Sequence, residues 1–428
     1  MEKFVIEGGH QLAGSVRPGG SKNEALPCLA ATLLSDEEIT LKNVPRINDV
    51  MVMLEVMEDL GGWHEWVGEN TVKIRNENVE KTNLDRELCR KVRASILFAG
   101  SMLGRMEECE LPPPGGDVIG RRRLDTHFLA LEALGAEIEV LPDRFMLKTD
   151  KLEGTHVFLD EASVTGTENT IMAAAVAQGT TTIRNAACEP HVQGLCRMLV
   201  SMGARIRGIG TNILTIEGTK GLWGCEHTIG PDYLEIGSMA GLAAVTGSEL
   251  TIEDVVPGDL RMIRLTLQKL GVSTELKNGD LFIPSEQRLK VDNDLNDAIP
   301  KIDDAPWPAF PTDLMSIAIT VATQSAGTVL FFEKMFEGRM FFVDSLIAMG
   351  ARIVFCDPHR VVVVGPSQLY GSTLESPDVR AGMALLIAAL CAQGESTIYN
   401  IRQIDRGYEK IEQKLMALGA KIERLPVE

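Results

Sequence analysis

The chain has 428 residues, of which 45% are hydrophobic, and its formal net charge is −18 at pH 7. This length and apolar content suit two or three globular domains with sizeable cores, and they exclude a disordered chain. The acidic balance argues against general nucleic-acid binding and against attachment to an anionic membrane surface. A local basic patch is therefore informative in this chain.

Eight cysteines and seven histidines are scattered without a CxxC pair, an HExxH motif or a close Cys/His cluster. We therefore expect reduced thiols and neither a structural zinc site nor a bound metal. The charged start of the chain does not resemble a signal peptide, and the longest apolar run, Ala381–Ala392, is too short to cross a bilayer. We expect a soluble, cytoplasmic protein.

The predicted elements recur along the chain in six units. A Leu-Gly or Met-Gly motif ends an amphipathic helical pattern six times, as in Val50–Leu60, Arg123–Leu134 and Gln403–Leu418. The glycines of this motif are Gly61, Gly135, Gly203, Gly271, Gly350 and Gly419, at intervals of 74, 68, 68, 79 and 69 residues. Each of them predicts the end of a helix before a strand.

A second series of helical segments runs in step with the first and is built of small and apolar residues on nearly every face. These segments begin near Lys22, Ala94, Glu168, Glu235, Asp313 and Ala381. Such a pattern predicts helices that are buried on all sides. Most of them lead through a glycine or polar turn into a strand.

We therefore predict an α/β protein made of six units of about 70 residues, three in each of two domains. Because one helix in each unit needs cover on every side, the sheets should wrap outside a set of central helices. We predict a first domain over residues 22–231 and a second over residues 1–21 plus 232–428, with the crossing inside Gly224–Asp232.

Charged residues stand at most of the six buried-helix starts, although charges otherwise avoid the ends of buried helices. Lys22, Arg93, Asp313 and Arg380 are examples. A helix N-terminus presents free N–H groups and a partial positive charge, which favour anions. We expect these ends to converge on one polar cleft between the domains.

The stretch Pro112–His127 combines three prolines, three glycines, the carboxylate of Asp117 and the arginines Arg121–Arg123. A loop that places an acid beside concentrated cations suits a small anionic substrate. The alternative is a solvated surface loop.

Two other motifs also have a structural and a functional interpretation. Lys22 follows a glycine turn in which Ser21 and Glu24 fit a capping box, so it is either an exposed helix residue or a ligand for phosphate or carboxylate. The spacing is not that of a P-loop. Asp313 follows a proline-rich segment and is either an N-cap or a general base. Arg406 could pair with Asp405 or Glu409.

Several motifs together resemble those of the UDP-N-acetylglucosamine enolpyruvyl transferases (1-carboxyvinyltransferases) of the EPSP synthase superfamily. They are Lys22-Asn23, Arg93-Ala94-Ser95, the Pro-Gly-Gly-x-x-Ile-Gly loop, Phe310-Pro311-Thr312-Asp313, Phe336-Glu337-x-Arg339 and Asp405-Arg406-Gly407-Tyr408-Glu409. The resemblance covers essentially the whole chain and implies two inside-out α/β domains. It also implies transfer of the enolpyruvyl group of phosphoenolpyruvate to the 3-hydroxyl of UDP-N-acetylglucosamine, with release of phosphate and no cofactor. That reaction is the first committed step of peptidoglycan synthesis.

The resemblance assigns roles residue by residue. Lys22, Arg122 and Arg406 would hold phosphoenolpyruvate, Asn23 would lie near the sugar or the phosphate, and Arg93 would contact the nucleotide diphosphate. Arg122, Arg123, Leu124, Asp125, Thr126, Ser163 and Val164 would line the UDP-sugar site, with Met335 at the uracil end. Asp313 would accept the proton of the 3-hydroxyl, and Asp117 would protonate the methylene carbon once domain closure brought the two carboxylates together. Asp49, Arg339, Asp378 and Arg380 are second-rank candidates.

The chain departs from the family pattern at Asp117, where most members have cysteine. Aspartate can act as the general acid if burial raises its pKa. It should not form the thioether by which fosfomycin inactivates the enzyme, so we expect resistance. The chain also departs from the family pattern at three positions in the part of the site that would bind the sugar nucleotide: Arg123, Glu161 and Thr165.

Two rival functions stay open at this point. One is an enolpyruvyl transferase with another acceptor, as in EPSP synthase, and the other is a non-catalytic paralogue that binds a nucleotide sugar. Retention of Lys22, Asp117, Asp313 and Arg406 together argues against the paralogue. The oligomeric state is not encoded in any motif.

Overall fold

The computed structural model describes residues 2–116 and 119–427. Asp117, the predicted acid of the loop, lies outside the described residues.

The strands are short and follow the chain in this order: β1 Glu2–Glu7, β2 Ala13–Val16, β3 Ile39–Lys42, β4 Trp63–Trp66, β5 Val72–Arg75, β6 Glu108–Leu111, β7 Glu137–Val140, β8 Phe145–Lys148, β9 His156–Phe158, β10 Thr180–Arg184, β11 Arg205–Arg207, β12 Ile213–Glu217, β13 Glu226–Thr228, β14 Glu249–Ile252, β15 Glu275–Lys277, β16 Asp280–Ile283, β17 Lys301–Asp303, β18 Gly327–Phe332, β19 Ile353–Asp357, β20 Arg360–Gly365, β21 Thr373–Glu375, β22 Glu395–Tyr399 and β23 Lys421–Pro426.

The α-helices alternate with them: α1 Lys22–Ala31, α2 Asn48–Asp59, α3 Arg86–Cys89, α4 Phe98–Met106, α5 Asp125–Ala133, α6 Val164–Val176, α7 Pro190–Ser201, α8 Tyr233–Val245, α9 Arg261–Lys269, α10 Met315–Ala322, α11 Val343–Ala348, α12 Val379–Cys391 and α13 Ile411–Ala417. Short 3-10 helices include Arg93–Leu97, Thr312–Leu314 and Ile401–Arg406. None of the described helices has the length and apolarity that a membrane span requires.

The described residues divide into two compact units. The Lys22 unit contains residues 20–116 and 122–230, and the Asp313 unit contains residues 2–19, 119–121 and 231–427. Each unit has its own hydrophobic core.

The core of the Asp313 unit is built on three helices, α8, α10 and α12, which pack against one another. Almost every residue of these helices is buried, including the whole of α10. Three four-stranded sheets belong to this unit, in the orders β21-β22-β1-β23, β15-β16-β14-β2 and β17-β18-β20-β19. The prediction of helices that are buried on all sides is confirmed here.

The Lys22 unit repeats this plan with α1, α4 and α6 as its buried helices. Its sheets have the strand orders β13-β3-β5-β4, β11-β12-β10-β9 and β6-β8-β7. In the last sheet a parallel bridge between Asn83 and Glu110 takes the place of a fourth strand. All six sheets therefore share one topology, in which one parallel pair is followed by two antiparallel pairs. This is the predicted sixfold repeat of an inside-out α/β fold.

The predicted helix ends are confirmed at all six repeat glycines, whose φ angles lie between +85° at Gly271 and +110° at Gly350. A side chain with a Cβ is strained in this left-handed region, so glycine is the natural residue after each helix. The predicted starts of the buried helices fall within four residues of the observed ones.

One predicted element is wrong. The pattern over Gln403–Leu418 predicts a single helix, whereas the structure has a 3-10 helix, Ile401–Arg406, and a separate helix, α13. Lys410 adopts a left-handed conformation with φ +46° between them, and this conformation interrupts the helix. The apolar period continues across the break, so the sequence pattern does not reveal it.

Candidate active site

Lys22 is the first residue of α1, and its side chain is held by an acid from the next helix. Its Nζ lies 2.7 Å from Oδ2 of Asp49, in the first turn of α2. Both side chains are largely buried. The predicted interpretation of Lys22 as an exposed helix residue is wrong, and the structure instead presents a buried ammonium group at a helix N-terminus. Asn23, the next residue of α1, is half-buried.

The predicted capping box at this helix does not form. Ser21 makes no side-chain cap hydrogen bond, and Glu24 accepts hydrogen bonds at 2.9 Å from His227 Nε2 and at 3.2 Å from the Gly230 N–H. Among the described residues, Glu24, Cys28 and His227 form one group that could hold a metal ion, with ligand atoms within 4.8 Å of one another. Because Glu24 is already occupied by His227 and Gly230, the observed arrangement is a hydrogen-bonded pair beside a buried thiol.

Arg93 begins the 3-10 helix that precedes α4 and supports the loop at Pro112–His127. Its Nη2 donates to the carbonyl of Arg122 at 2.6 Å. Gly116, with φ +105°, lies so close that a Cβ there would be 2.7 Å from Arg93 Cβ. Burial, and then the charge of Arg122, lower the pKa of Arg93 to about 10. The two arginines are therefore a concentrated positive charge that an anion would stabilise.

Residues 119–121 of the same loop belong to the Asp313 unit and pack against a turn of that unit. Gly338 N–H donates to the carbonyl of Ile119 at 2.8 Å, and the Arg121 N–H donates to Glu337 Oε2 at 3.2 Å. Ile119 is buried. This part of the loop is anchored by backbone hydrogen bonds, so the alternative of a wholly solvated loop does not describe it.

Arg123 is exposed and faces acids of its own unit. Its Nη2 lies 2.9 Å from Asp160 Oδ2, and its Nε lies 3.9 Å from Oδ2 of the exposed Asp125. The Thr126 hydroxyl donates to Asp160 at 2.5 Å. This hydrogen bond, more than the Arg123 contact, lowers the pKa of Asp160 and outweighs its burial. Leu124, between these residues, packs against the core of the Lys22 unit.

The start of α6 is fixed by a histidine that sequence reasoning missed. Ser163 caps this helix by accepting from the Gly166 N–H at 3.2 Å, and Val164 is its first residue. Asn169 donates to His127 Nδ1 at 2.8 Å, because its Oδ1 is used by the Gly100 N–H. His127 therefore carries its proton on Nε2, which lies 3.1 Å from the Thr165 hydroxyl. Burial, with a smaller contribution from Arg93, lowers the pKa of His127 to about 3.

Asp313 lies in the 3-10 turn before α10, where it forms ion pairs with two arginines. Arg339 contacts Oδ1, and Arg380 Nε lies 3.3 Å from Oδ2. No side-chain cap hydrogen bond is formed at this turn, so the N-cap interpretation of Asp313 is wrong. Burial would lower the pKa of Arg339, but the charges of Asp313 and Asp378 outweigh it and raise the pKa.

The starts of three buried helices meet at Arg380 within this unit. Asp378 caps α12 by accepting from the Arg380 N–H at 2.8 Å. The guanidinium of Arg380 lies 5.3 Å from the ring centre of Tyr408 and within electrostatic range of Asp232, the N-cap of α8. Burial raises the pKa of Asp232, against the opposing effect of Arg380. The buried guanidinium of Arg380 is therefore near the carboxylates of Asp232 and Asp313, while the Asp378 carboxylate binds the backbone N–H of the same residue.

Arg406 and Met335 complete the predicted residues of the Asp313 unit. Arg406 ends a 3-10 helix and donates to Gln403 Oε1 at 3.0 Å. Its neighbour Asp405 is engaged by Arg424 at 2.7 Å and 3.0 Å. Met335 is exposed, and its N–H donates to Glu333 Oε1 at 3.1 Å.

A family model described as EPSP synthase (3-phosphoshikimate 1-carboxyvinyltransferase) matches residues 6–415. Proteins named UDP-N-acetylglucosamine 1-carboxyvinyltransferase match over nearly their whole length. The Treponema denticola protein is 58% identical, with 99% of each chain covered, and the Bradyrhizobium diazoefficiens protein is 55% identical, with 99% of this chain and 98% of that protein covered. The Borreliella burgdorferi protein is 54% identical, with 99% of each chain covered.

The chain belongs to the EPSP synthase family. It is therefore an enzyme of the enolpyruvyl (carboxyvinyl) transferase class. Solved structures agree on the fold. The enolpyruvyl transferase NikO from Streptomyces tendae superposes with a TM-score of 0.88 at 21% identity, covering 100% of this chain and 99% of that one. An EPSP synthase from Acinetobacter baumannii gives a TM-score of 0.75 at 17% identity, with complete coverage of both chains.

The predicted residues of this EPSP synthase family member fall on both units. The Lys22 unit carries Lys22, Asn23, Arg93, Arg122, Arg123, Leu124, Asp125, Thr126, Ser163 and Val164, and the Asp313 unit carries Asp313, Met335, Arg339, Asp378, Arg380 and Arg406. Within each unit, charged groups cluster at the starts of the buried helices. Sequence reasoning assigned no role in the site to His127, to Asn169 or to Glu333, which lies two residues before Met335. Their hydrogen-bond partners are distant in sequence. The sequence feature that could have revealed them is a polar residue inside an otherwise apolar stretch.

Proposed function

We propose that this enolpyruvyl transferase transfers the enolpyruvyl group of phosphoenolpyruvate to the 3-hydroxyl of UDP-N-acetylglucosamine and releases phosphate. The observation that carries this proposal is the 58% identity, over 99% of both chains, to a protein named for that reaction. The product would be a precursor of peptidoglycan, made in the cytoplasm from two small molecules.

The site residues fit the charges of the two substrates. Lys22 at the start of α1, together with Arg122 and Arg406, would hold the phosphate and carboxylate of phosphoenolpyruvate. Arg93, the loop residues Arg122–Thr126 and the start of α6 at Ser163 and Val164 would hold the UDP-sugar. Arg93 suits this role because its half-buried charge lacks full solvation, so that a diphosphate would stabilise it.

The reaction would proceed by addition and then elimination. In the addition, the 3-oxygen attacks C2 of phosphoenolpyruvate, Asp313 accepts the hydroxyl proton, and Asp117 protonates the methylene carbon. In the elimination, the new methyl group returns a proton to Asp117, the double bond reforms, the bond between C2 and the phosphate oxygen breaks, and the phosphate leaves with the proton that Asp313 had accepted. The Arg339 and Arg380 contacts would keep Asp313 ionised and oriented as the base.

The second candidate function is transfer to shikimate 3-phosphate, which the name of the matching family model favours. The two functions are distinguished by measuring phosphate release from phosphoenolpyruvate with each acceptor in turn and determining the mass of the product by mass spectrometry. We expect release with UDP-N-acetylglucosamine and a product heavier by one enolpyruvyl group. Release with shikimate 3-phosphate alone would establish the second function, and release with neither acceptor would favour a binding paralogue.

A further inference from the structure

Glu333 is a fully buried acid that ties together two segments of the Asp313 unit. It follows β18 directly and is 0% exposed. Its Oε1 accepts from the N–H groups of Met335 and Phe336, each at 3.1 Å. The Thr312 hydroxyl lies 3.0 Å from Oε1 and 2.9 Å from Oε2. One carboxyl group therefore holds both the turn that carries Met335 and the residue immediately before Asp313.

A second fully buried acid, Asp304, faces Glu333. Its Oδ1 accepts from the Lys334 N–H at 2.6 Å. Oδ2 is buried, and no N–H or hydroxyl group of the described residues donates to it. Asp304 follows β17 as Glu333 follows β18, and the parallel register that pairs Asp303 with Phe332 places the two acids side by side. A buried acceptor without a donor is costly, and two adjacent buried carboxylates are more costly still. Both costs disappear if a proton on the Glu333 carboxyl group is donated to Asp304 Oδ2.

We propose that Glu333 and Asp304 share one proton, and that Glu333 in this neutral form is a positioning residue for Asp313 and for the turn from Met335 to Arg339. The consequence for catalysis rests on the proposed function, in which Asp313 is the base. The proton sharing itself does not depend on it.

The surroundings of the pair support this assignment. Burial, and then the hydrogen bond and charge of Asp304, raise the pKa of Glu333 to about 8, while Arg339 and the Thr312 hydroxyl oppose the rise. The other charged or titratable groups nearby are Lys334, which pairs with Asp303, and His359, whose Nδ1 lies 2.7 Å from the Glu333 carbonyl.

Loss of the shared proton has a defined structural effect. Two facing carboxylates would repel each other inside the protein, and Thr312 and the Met335 turn would lose a fixed acceptor. Arg339 would then be drawn toward Glu333 and away from Asp313. We therefore expect kcat to fall by about tenfold between pH 7 and pH 9, because a group with a pKa near 8 is about one-tenth protonated at pH 9.

The test compares pH profiles of kcat in matched variants. Glu333→Gln keeps an acceptor for the turn and supplies a permanent donor to Asp304, and Asp304→Asn supplies a donor to Glu333 from the other side. Each variant should lose less than about twofold in kcat between pH 7 and pH 9. Glu275→Gln, an exposed change of the same kind in the same unit, should keep the wild-type profile.

A second measurement needs no activity and separates this proposal from the proposed function. Between pH 6.5 and pH 9, the Tm of the wild-type chain should fall more than the Tm of Glu333→Gln or of Asp304→Asn. If Glu333→Gln does not fold, the comparison is made with Asp304→Asn alone. Profiles of kcat and Tm that match the wild type in both variants would overturn the proposal. If no acceptor supports transfer, the proposed function fails, and the Tm comparison alone decides whether the proton is shared.

Discussion

The ammonium group of Lys22 lies 2.7 Å from the carboxylate of Asp49, with 12% and 5% of the two side chains exposed. Burial of two opposite charges is tolerable because each compensates the other. Removing one of them leaves a buried charge without its partner. The pair joins the first turn of α1 to the first turn of α2, so Asp49 fixes where the proposed substrate lysine points.

We predict that Asp49→Asn lowers the free energy of unfolding by about 3 kcal/mol and raises the KM for phosphoenolpyruvate by about tenfold. Urea denaturation and initial rates would measure the two effects. Asp59→Asn is the matched control, because Asp59 pairs with Lys81 at 2.5 Å near the surface and should contribute less than about 1 kcal/mol. Equal effects of the two substitutions would contradict a special role for Asp49.

Asp313→Asn tests the proposed base. The amide keeps the shape of the side chain but cannot take the hydroxyl proton, so kcat should fall by about 10²-fold to 10⁴-fold. Binding of UDP-N-acetylglucosamine, measured by calorimetry, should change much less. Asp344→Asn, an exposed acid in the first turn of α11, serves as the control and should keep its activity. A loss of binding as large as the loss of kcat would assign Asp313 to substrate holding rather than to proton transfer.

His127 should make the protein sensitive to acid. Its pKa is about 3 in the folded protein and about 6.5 in an unfolded chain, so the unfolded state binds a proton first as the pH falls. The stability contribution of the neutral ring is complete above pH 6.5 and is lost progressively as the pH falls toward 3, by up to about 1.4 kcal/mol per pH unit. The difference in unfolding free energy between wild type and His127→Gln should therefore shrink from pH 7 to pH 4.5. A difference that stays constant from pH 7 to pH 4.5 would contradict this prediction.

The repeats were predictable because they depend on local chemistry. The glycines Gly61 to Gly419 end helices through their own backbone freedom, and α12 after Arg380 is apolar on every face within one short stretch. The pairs that shape the site were not predictable. Glu24 and His227 are 203 residues apart, and His127 and Asn169 are 42 apart, so only the folded chain makes them neighbours.

Contacts between residues distant in sequence also explain the predictions that are wrong. Ser21 and Glu24 have the spacing of a capping box, but His227 and Gly230 compete successfully for the Glu24 carboxylate. Asp313 stands at a helix start like an N-cap, yet two distant arginines take its oxygens. In each case a tertiary contact outweighs a local hydrogen bond of about 1 kcal/mol.

Fosfomycin resistance remains a prediction from the sequence, because Asp117 lies outside the described residues. A carboxylate is a far weaker nucleophile toward an epoxide than a thiolate, so the wild-type protein should keep its activity and gain no covalent adduct. Burial raises the pKa of Cys89 and Cys196 to about 12 and also raises the pKa of Cys109, which keeps these thiols protonated and unreactive. Asp117→Cys should gain one adduct by mass spectrometry and lose activity at least tenfold faster than wild type during incubation with fosfomycin. The exposed Cys356 is a competing site, which is controlled for by repeating the incubation with Cys356→Ala. Time-dependent inactivation of the wild-type protein, with an adduct on Asp117, would show that this carboxylate reacts as a nucleophile and that the prediction is wrong.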